Sequence, residues 1–124
     1  MTAGFVVFAH GSRIESANQA VRDTAARLAR AGGFEYVEPA FLELGTPDLN
    51  GAVAHLAARG VKRIFVLPYF LTLGLHLERD LPRLLEDASK AHPDLDIRMT
   101  PPLDGHEALV AVLLDRARDA ERQT

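Results

Sequence analysis

The feature that most constrains the fold is a short, nearly continuous apolar run at residues 63–68. It follows Gly60, a residue type that commonly ends helices, and it consists mainly of β-branched, aromatic and leucine residues. Strands buried on both faces have this composition, so the run predicts a central strand of a parallel sheet. The leucine-rich segment after it (residues 70–77) is more apolar than a surface loop requires, and we expect it to be covered. Its apolar residues are Phe70, Leu71, Leu73, Leu75 and Leu77.

Strand-like and helix-like patterns alternate four times along the chain. The strands are predicted at 5–9, 36–44, 63–68 and 95–100, and apolar residues recur at helical spacing after each of them. Such a series predicts an α/β protein with a parallel sheet and helices on both faces. Pro39 removes a backbone donor, so the second strand belongs at an edge. With right-handed crossovers the strand order becomes 2-1-3-4, and the topological switch point lies between strands one and three.

Capping residues and apolar spacing predict where the helices begin. Ser12 and Ser16 compete for the start of the first helix, because each is followed three residues later by Glu or Gln. Thr46 is predicted to cap the second helix, since Pro47 fits the first helical position. The third helix is predicted at about 81–91. The last helix is expected to bury Leu109, Val112 and Leu113.

Length and composition exclude several classes of protein. At 124 residues, with 48% apolar and 25% charged residues, the chain is expected to form one globular domain spanning residues 1–124. A net charge of −3 gives no electrostatic case for binding nucleic acid or an anionic membrane. The absence of cysteine excludes disulfides, thiolate nucleophiles and iron–sulfur clusters. Because no signal-peptide pattern or membrane-length apolar run is present, we expect a cytoplasmic protein.

Three side chains that can bind metal ions are predicted to meet at the carboxyl edge of the sheet. His10 follows the first strand, Glu43 ends the second, and His76 follows the third in a loop. Neutral imidazoles and a carboxylate suit Co²⁺, Fe²⁺ or Ni²⁺, and so few ligands leave coordination positions open. A single loop histidine is more often structural, so the metal-site hypothesis depends on all three lying in one crevice.

Other candidate residues have two interpretations each. Ser12 and Arg13 are either a helix cap and a solvated charge, or amide and guanidinium groups that bind a carboxylate-bearing ligand. The leucine-rich segment is a subunit interface, a platform for a flat apolar ligand, or both. His55 and His92 are interpreted as surface histidines, whereas His106 lies at the same sheet edge as the candidate site.

Five short motifs extend through most of the chain. They occupy residues 9–13 (AHGSR), 40–44 (AFLEL), 66–71 (VLPYFL), 74–76 (GLH) and 80–82 (DLP). Together they resemble the motifs of the sirohydrochlorin chelatases, class II chelatases that insert cobalt, iron or nickel into a modified tetrapyrrole. The resemblance implies a flavodoxin-like, chelatase-like domain in its short form, which pairs as a homodimer. Before the last helix the family often has Gly-x-His-Pro, where this chain has Asp-Gly-His-Glu at 104–107.

The resemblance also implies roles for individual residues. His10 and His76 match the metal-binding histidines of the family, and Glu43 matches its active-site acid, so these three are the expected catalytic residues. The divalent metal is then a substrate rather than a tightly bound cofactor, and the product serves cobalamin or siroheme biosynthesis. The residues expected to contact the tetrapyrrole are Ser12, Arg13, Leu71, Leu73 and Leu75.

Three alternative functions are weighed against metal insertion. A metal carrier that delivers an ion without catalysing insertion has the same ligand requirements. A histidine-type phosphatase needs an arginine just before its nucleophilic histidine, and Ala9 stands there. A receiver domain needs an aspartate where Pro68 stands, and a flavodoxin-like carrier needs a phosphate loop richer in hydroxyls than residues 10–13.

Overall fold

A computed structural model describes residues 2–123 and shows one four-stranded parallel sheet with the strand order β2-β1-β3-β4. This confirms the predicted α/β class and the order 2-1-3-4. The strands are β1 (Ala3–Ala9), β2 (Tyr36–Phe41), β3 (Arg63–Pro68) and β4 (Asp96–Met99), and the helices are α1 (Glu15–Gly32), α2 (Leu49–Ala58), α3 (Leu75–Ala91) and α4 (Glu107–Arg122).

The main core lies between the sheet and the pair α2 and α3. Alternate residues of the central strands point to this side, and Val6, Ile64 and Val66 have no exposed surface. Leu56 of α2 and Leu81 of α3 pack in the same cluster. The register pairs β1 with β3 along almost their whole length, so both strands end together at the switch point.

The opposite face of the sheet is covered by α1 over β1 and β2. Val7 and Phe41 are buried there, and the Arg22 guanidinium of α1 lies over the Phe41 ring. On the β3 half of this face, Phe65 and Leu67 are half-buried and partly open to solvent. Helices therefore lie on both faces, as predicted, but one face is covered only in part.

The predicted starts of α1 and α2 are wrong. Helix α1 begins after Ile14, which makes no side-chain cap, and the Ser12 hydroxyl accepts the Ile14 N–H two residues too early to cap the helix. Helix α2 is capped by Asp48, whose carboxylate accepts the Gly51 N–H at 2.7 Å, so Thr46 is not the cap. Asp48 directly precedes the helix in an extended backbone conformation, so its carboxylate reaches the third N–H of the helix, whereas Thr46 lies two residues too early.

Two element boundaries at the carboxyl edge also differ from the prediction. Helix α3 begins at Leu75 rather than near residue 81, and Pro82 lies inside it. The prediction placed this proline at the helix start, where its missing N–H costs least. His76 consequently belongs to the first turn of α3 instead of a loop. Strand β2 ends at Phe41, so Glu43 lies just beyond the strand.

The largest departure from the prediction is α4. None of its residues is buried: Leu109 is half-buried, while Val112 and Leu113 are exposed. The expectation that these residues are buried is wrong, because α4 makes at most marginal contact with the other helices and strands. Among residues 2–123, no helix combines the length and apolar character that crossing a membrane requires.

Candidate functional site

Two backbone hydrogen bonds join the loops that follow β1 and β2. The Leu42 N–H donates to the Ala9 carbonyl at 2.9 Å, and the Glu43 N–H donates to the His10 carbonyl at 3.0 Å. The parallel pairing thus continues beyond both strand ends. Gly11 follows with φ 94°, and a Cβ at this position would lie 1.7 Å from the Glu43 carbonyl oxygen. This close approach requires glycine.

The continued pairing brings the His10 and Glu43 side chains together. His10 Nε2 lies 3.7 Å from Glu43 Oε1, and both side chains are about half exposed, at 54% and 57%. His10 Nδ1 lies 3.3 Å from the Gly11 carbonyl oxygen. A carbonyl oxygen cannot donate, so this contact places the ring proton on Nδ1. In the neutral ring, Nε2 then faces Glu43 with a free lone pair.

Two acceptor atoms that face each other in this way form a site for a cation. Divalent first-row metals bind imidazole nitrogen and carboxylate oxygen at about 2.0–2.2 Å, as zinc does, so two ligands of one ion lie at most about 4.4 Å apart. The separation of 3.7 Å between His10 Nε2 and Glu43 Oε1 falls within this limit. The pair can therefore hold one metal ion or share one proton.

His76 is placed differently from these two residues. Its Nδ1 lies 3.1 Å from the Nη2 of Arg79, one turn further along α3. Because a guanidinium only donates, Nδ1 is the acceptor and its lone pair is occupied. Among residues 2–123, no three His, Asp or Glu side chains are grouped closely enough to hold a metal. The structure thus joins His10 with Glu43 and does not join His76 to them.

The loop before His76 nevertheless reaches the end of β1. The Tyr69 N–H donates to the Phe8 carbonyl at 2.7 Å. The Phe70 ring stands edge-on to the rings of both Phe8 and His10, with centroids 6.3 and 6.4 Å away. Phe70 therefore borders the imidazole of His10 and places an apolar wall next to the candidate cation site.

The chain's similarity to known proteins shows its family. The model of the CbiX family matches residues 4–120. This chain belongs to the CbiX family. In the solved CbiX protein from Marinobacter aquaeolei VT8, described as a putative cobalamin (vitamin B12) biosynthesis protein, the identity is 27% and the TM-score is 0.82, with 98% of this chain and 99% of that chain covered.

Two curated relatives of this CbiX chain are named sirohydrochlorin chelatases. The chloroplastic sirohydrochlorin ferrochelatase of Arabidopsis thaliana is 34% identical over 113 residues, which are 91% of this chain and 50% of the relative. This chain therefore spans about half the length of that protein. The sirohydrochlorin cobaltochelatase of Methanopyrus kandleri is 30% identical over 135 residues, covering 93% of this chain and 94% of the relative.

A solved chelatase also shares the fold of this CbiX chain. The sirohydrochlorin chelatase SirB from Bacillus subtilis subspecies spizizenii, solved in complex with cobalt, superposes with a TM-score of 0.83 and 25% identity. The match covers 96% of this chain and 51% of the SirB chain. Both comparisons of solved structures support the predicted chelatase-like fold.

A buried asparagine that was not predicted organises the site loops. Asn18 of α1 is 2% exposed. It accepts the Ser12 N–H at 2.9 Å and donates to the carbonyl oxygens of Ser12 and Leu44, each at 2.9 Å. Leu44 has the left-handed φ of 57°, so this bond fixes an unusual backbone turn next to Glu43. The available signal was that Asn18 lies on the inward stripe of α1, three residues before Val21.

Some of the residues expected to contact the polar rim of a ligand already form hydrogen bonds within the chain. The Ser12 N–H is bound to Asn18, and its hydroxyl accepts from Ile14. Arg13 is exposed and has no side-chain partner among the described residues, so its guanidinium is free to bind an anion. His106 has a structural part in this CbiX chain, because its Nδ1 accepts the Ala108 N–H at 3.0 Å and caps α4.

Two of the five apolar residues in the leucine-rich segment are exposed. Leu71 is 70% exposed and Leu75 is 73% exposed, whereas Leu73 is half-buried and packs against the core. The structure therefore leaves Leu71 and Leu75 as apolar surface beside the candidate site. The contact of Leu73 with the core anchors this segment to the domain.

Proposed function

We propose that this chain inserts Co²⁺ or Fe²⁺ into sirohydrochlorin. The observation that carries the proposal is the convergence of His10 Nε2 and Glu43 Oε1, two acceptors 3.7 Å apart at the carboxyl end of a central strand. The names of its CbiX-family relatives, a cobaltochelatase and a ferrochelatase, supply the substrate. The metal is a substrate in this reaction, and Ni²⁺ is a third ion that the same donors suit.

The His10–Glu43 pair suits both halves of the reaction. Insertion exchanges one divalent ion for two pyrrole N–H protons. While the ion is bound, it occupies the lone pairs of both side chains. Once the ring nitrogens take the ion, both side chains regain a basic lone pair at the place where the two protons are released. Each of them then accepts one proton as a general base.

We propose His76 as a second imidazole ligand that joins on metal binding. Its position at the start of α3, beyond the loop that contacts His10, supports this assignment. In the present arrangement Arg79 occupies its Nδ1, so the guanidinium must first release the ring. An anionic group of the substrate is a suitable new partner for Arg79.

Apolar and basic groups around the pair suit a flat ring with a charged rim. Leu71 and Leu75 are exposed enough to stack on the macrocycle, and Phe70 forms the wall beside His10. Arg13 and Arg79 are placed to meet peripheral carboxylates. Leu73 and Ser12 act indirectly, through the loop conformation, because their own groups are largely occupied.

We also propose a homodimer. One domain can contact the large tetrapyrrole on one side only, and a second copy would enclose the other side. The exposed Leu71 and Leu75 support this assembly. The cytoplasmic location, the single domain and the absence of nucleic-acid and membrane partners stay predictions from the sequence.

Spectrophotometry of sirohydrochlorin tests the proposed reaction. With Co²⁺ in excess, the metal-free absorbance is expected to disappear faster with the purified protein than without it, and more protein should give a proportionally higher rate. A carrier gives a different result: Co²⁺ binds to the protein, and the rate of metallation stays at the uncatalysed value. That outcome would show that the protein is a metal carrier and not a chelatase.

A further inference from the structure

Helix α4 has the composition of a buried helix but the exposure of a surface one. Seven consecutive apolar residues, 108–114, surround its first two turns. A helix that is apolar all round is normally enclosed by protein. Here no residue of α4 is buried, and four of its large side chains are about half exposed or more: Val110 at 69%, Val112 at 54%, Leu113 at 69% and Leu114 at 49%.

Its own chain covers one side of α4 loosely. A cavity of about 330 Å³ separates the helix from the leucine-rich segment, and its lining is mainly apolar: Leu71, Thr72, Asp104, Leu109, Val112 and Leu113. A second stripe of α4, with the spacing i, i+3, i+4 and i+7, lies on the adjacent side of the helix. It faces away from the cavity, except that Leu113 belongs to the stripe and also lines the cavity. This free stripe consists of Val110, Leu113, Leu114 and Ala117.

The sheet has a matching uncovered surface. On the side of α1, the helix reaches only β1 and β2, and no other helix packs closely on β3 and β4 there. Phe65 and Leu67 remain half-exposed on this surface, although Ile64 and Val66 on the other face are fully buried. A sheet face over a core normally carries a second layer.

We propose that α4 of one copy packs on the uncovered β3–β4 face of a second copy, in a reciprocal homodimer. Each chain has one loosely covered helix, α4, and one uncovered surface, the β3–β4 half of the sheet face on the side of α1. Two copies related by a twofold axis can therefore cover both surfaces at once. The inference deepens the dimer proposed above by naming the elements that form it, and it does not depend on the chelatase reaction.

The dimensions of the two elements support this arrangement. A helix of 16 residues is about 24 Å long and about 10 Å across, and a six-residue strand spans about 20 Å. Two such contacts bury on the order of 1,000 Å², close to the lower limit of specific interfaces. The charged residues of this sheet surface, Arg63, Asp96 and Arg98, pair with one another, so Phe65 and Leu67 provide its apolar part.

Cross-linking between two single-cysteine variants tests the contact. The protein has no native cysteine, so Leu67→Cys and Leu114→Cys each introduce one thiol. When the two variants are mixed and treated with a bifunctional maleimide, the proposal predicts a covalent heterodimer. Ile14→Cys mixed with Leu67→Cys is the control, because Ile14 is similarly accessible, at 66%, but lies at the start of α1.

Sedimentation of uncross-linked protein separates the remaining outcomes. The parent is expected to be a dimer, and Val110→Glu should raise its dissociation constant at least tenfold, whereas Ile14→Glu should not. A monomeric parent would overturn both the dimer and this contact. A dimer without the Leu67–Leu114 cross-link, or one that tolerates Val110→Glu in a folded helix, would overturn this contact alone. Cobalt insertion, measured separately, decides the chelatase reaction.

Discussion

Gly11 holds the loops of His10 and Glu43 at their short distance. In Gly11→Ala the new Cβ would meet the Glu43 carbonyl oxygen at 1.7 Å, and the backbone φ of 94° is unfavourable for alanine. We expect the two loops to separate, with a loss of about 3 kcal/mol or more in the free energy of unfolding. Metallation should slow about 100-fold, since displacements of about 1 Å have effects of this size.

Gly33→Ala separates the effect of the contact with Glu43 from the effect of the positive φ. Gly33 also has a positive φ, 64°, but no atom lies within 4 Å of a Cβ there. It should lose only about 1–2 kcal/mol and keep its metallation rate. Urea denaturation gives the free energy of unfolding of both variants, and initial rates give their metallation activity. Equal losses in the two would show that the contact with Glu43 does not matter.

At the residue scale, the sequence could indicate which side chains reach the sheet edge but not how they pair. Strand order predicted that His10, Glu43 and His76 reach one edge, but it could not show that Glu43, and not His76, lies beside His10. The bond from Arg79 to His76 was not predictable either, because it depends on α3 beginning at Leu75. Asn18 was missed because a polar residue on an inward stripe has no evident partner until the loops are folded.

At the element scale, the start of α2 offers a direct test of capping. The carboxylate of Asp48 accepts the Gly51 N–H, whereas Thr46 lies outside the helix. Asp48→Ala is expected to lower the free energy of unfolding by about 1 kcal/mol. Thr46→Ala is the control and should change it by less than about 0.5 kcal/mol. Chemical denaturation of the two variants gives the comparison, and the reverse order would restore Thr46 as the cap.

Element boundaries were less predictable than element types for a physical reason. Thr46 and Asp48 both have capping side chains, and local sequence alone does not decide between them. Pro82 is tolerated within α3, although its residue type favours a helix start. In each case the folded chain shows a start that the local residue types left open.

At the scale of the whole molecule, strand order followed from Pro39 and the crossover rule, because both depend on the chain's own geometry. The burial of α4 could not be predicted in this way. Its apolar residues indicated a covered helix, but the pattern does not reveal whether the cover belongs to the same chain. Here the chain itself leaves Leu113 and its neighbours exposed.

The rate of cobalt insertion by His10→Ala tests the central claim most directly. The account predicts near-complete loss for this variant, and for Glu43→Gln a rate on the order of 10²–10⁴ lower. His55→Ala is the matched control: its side chain is 62% exposed and pairs with Glu38 at 2.8 Å, but it belongs to the middle of α2. It should keep the parental rate. Insertion at the parental rate by folded His10→Ala would contradict the account.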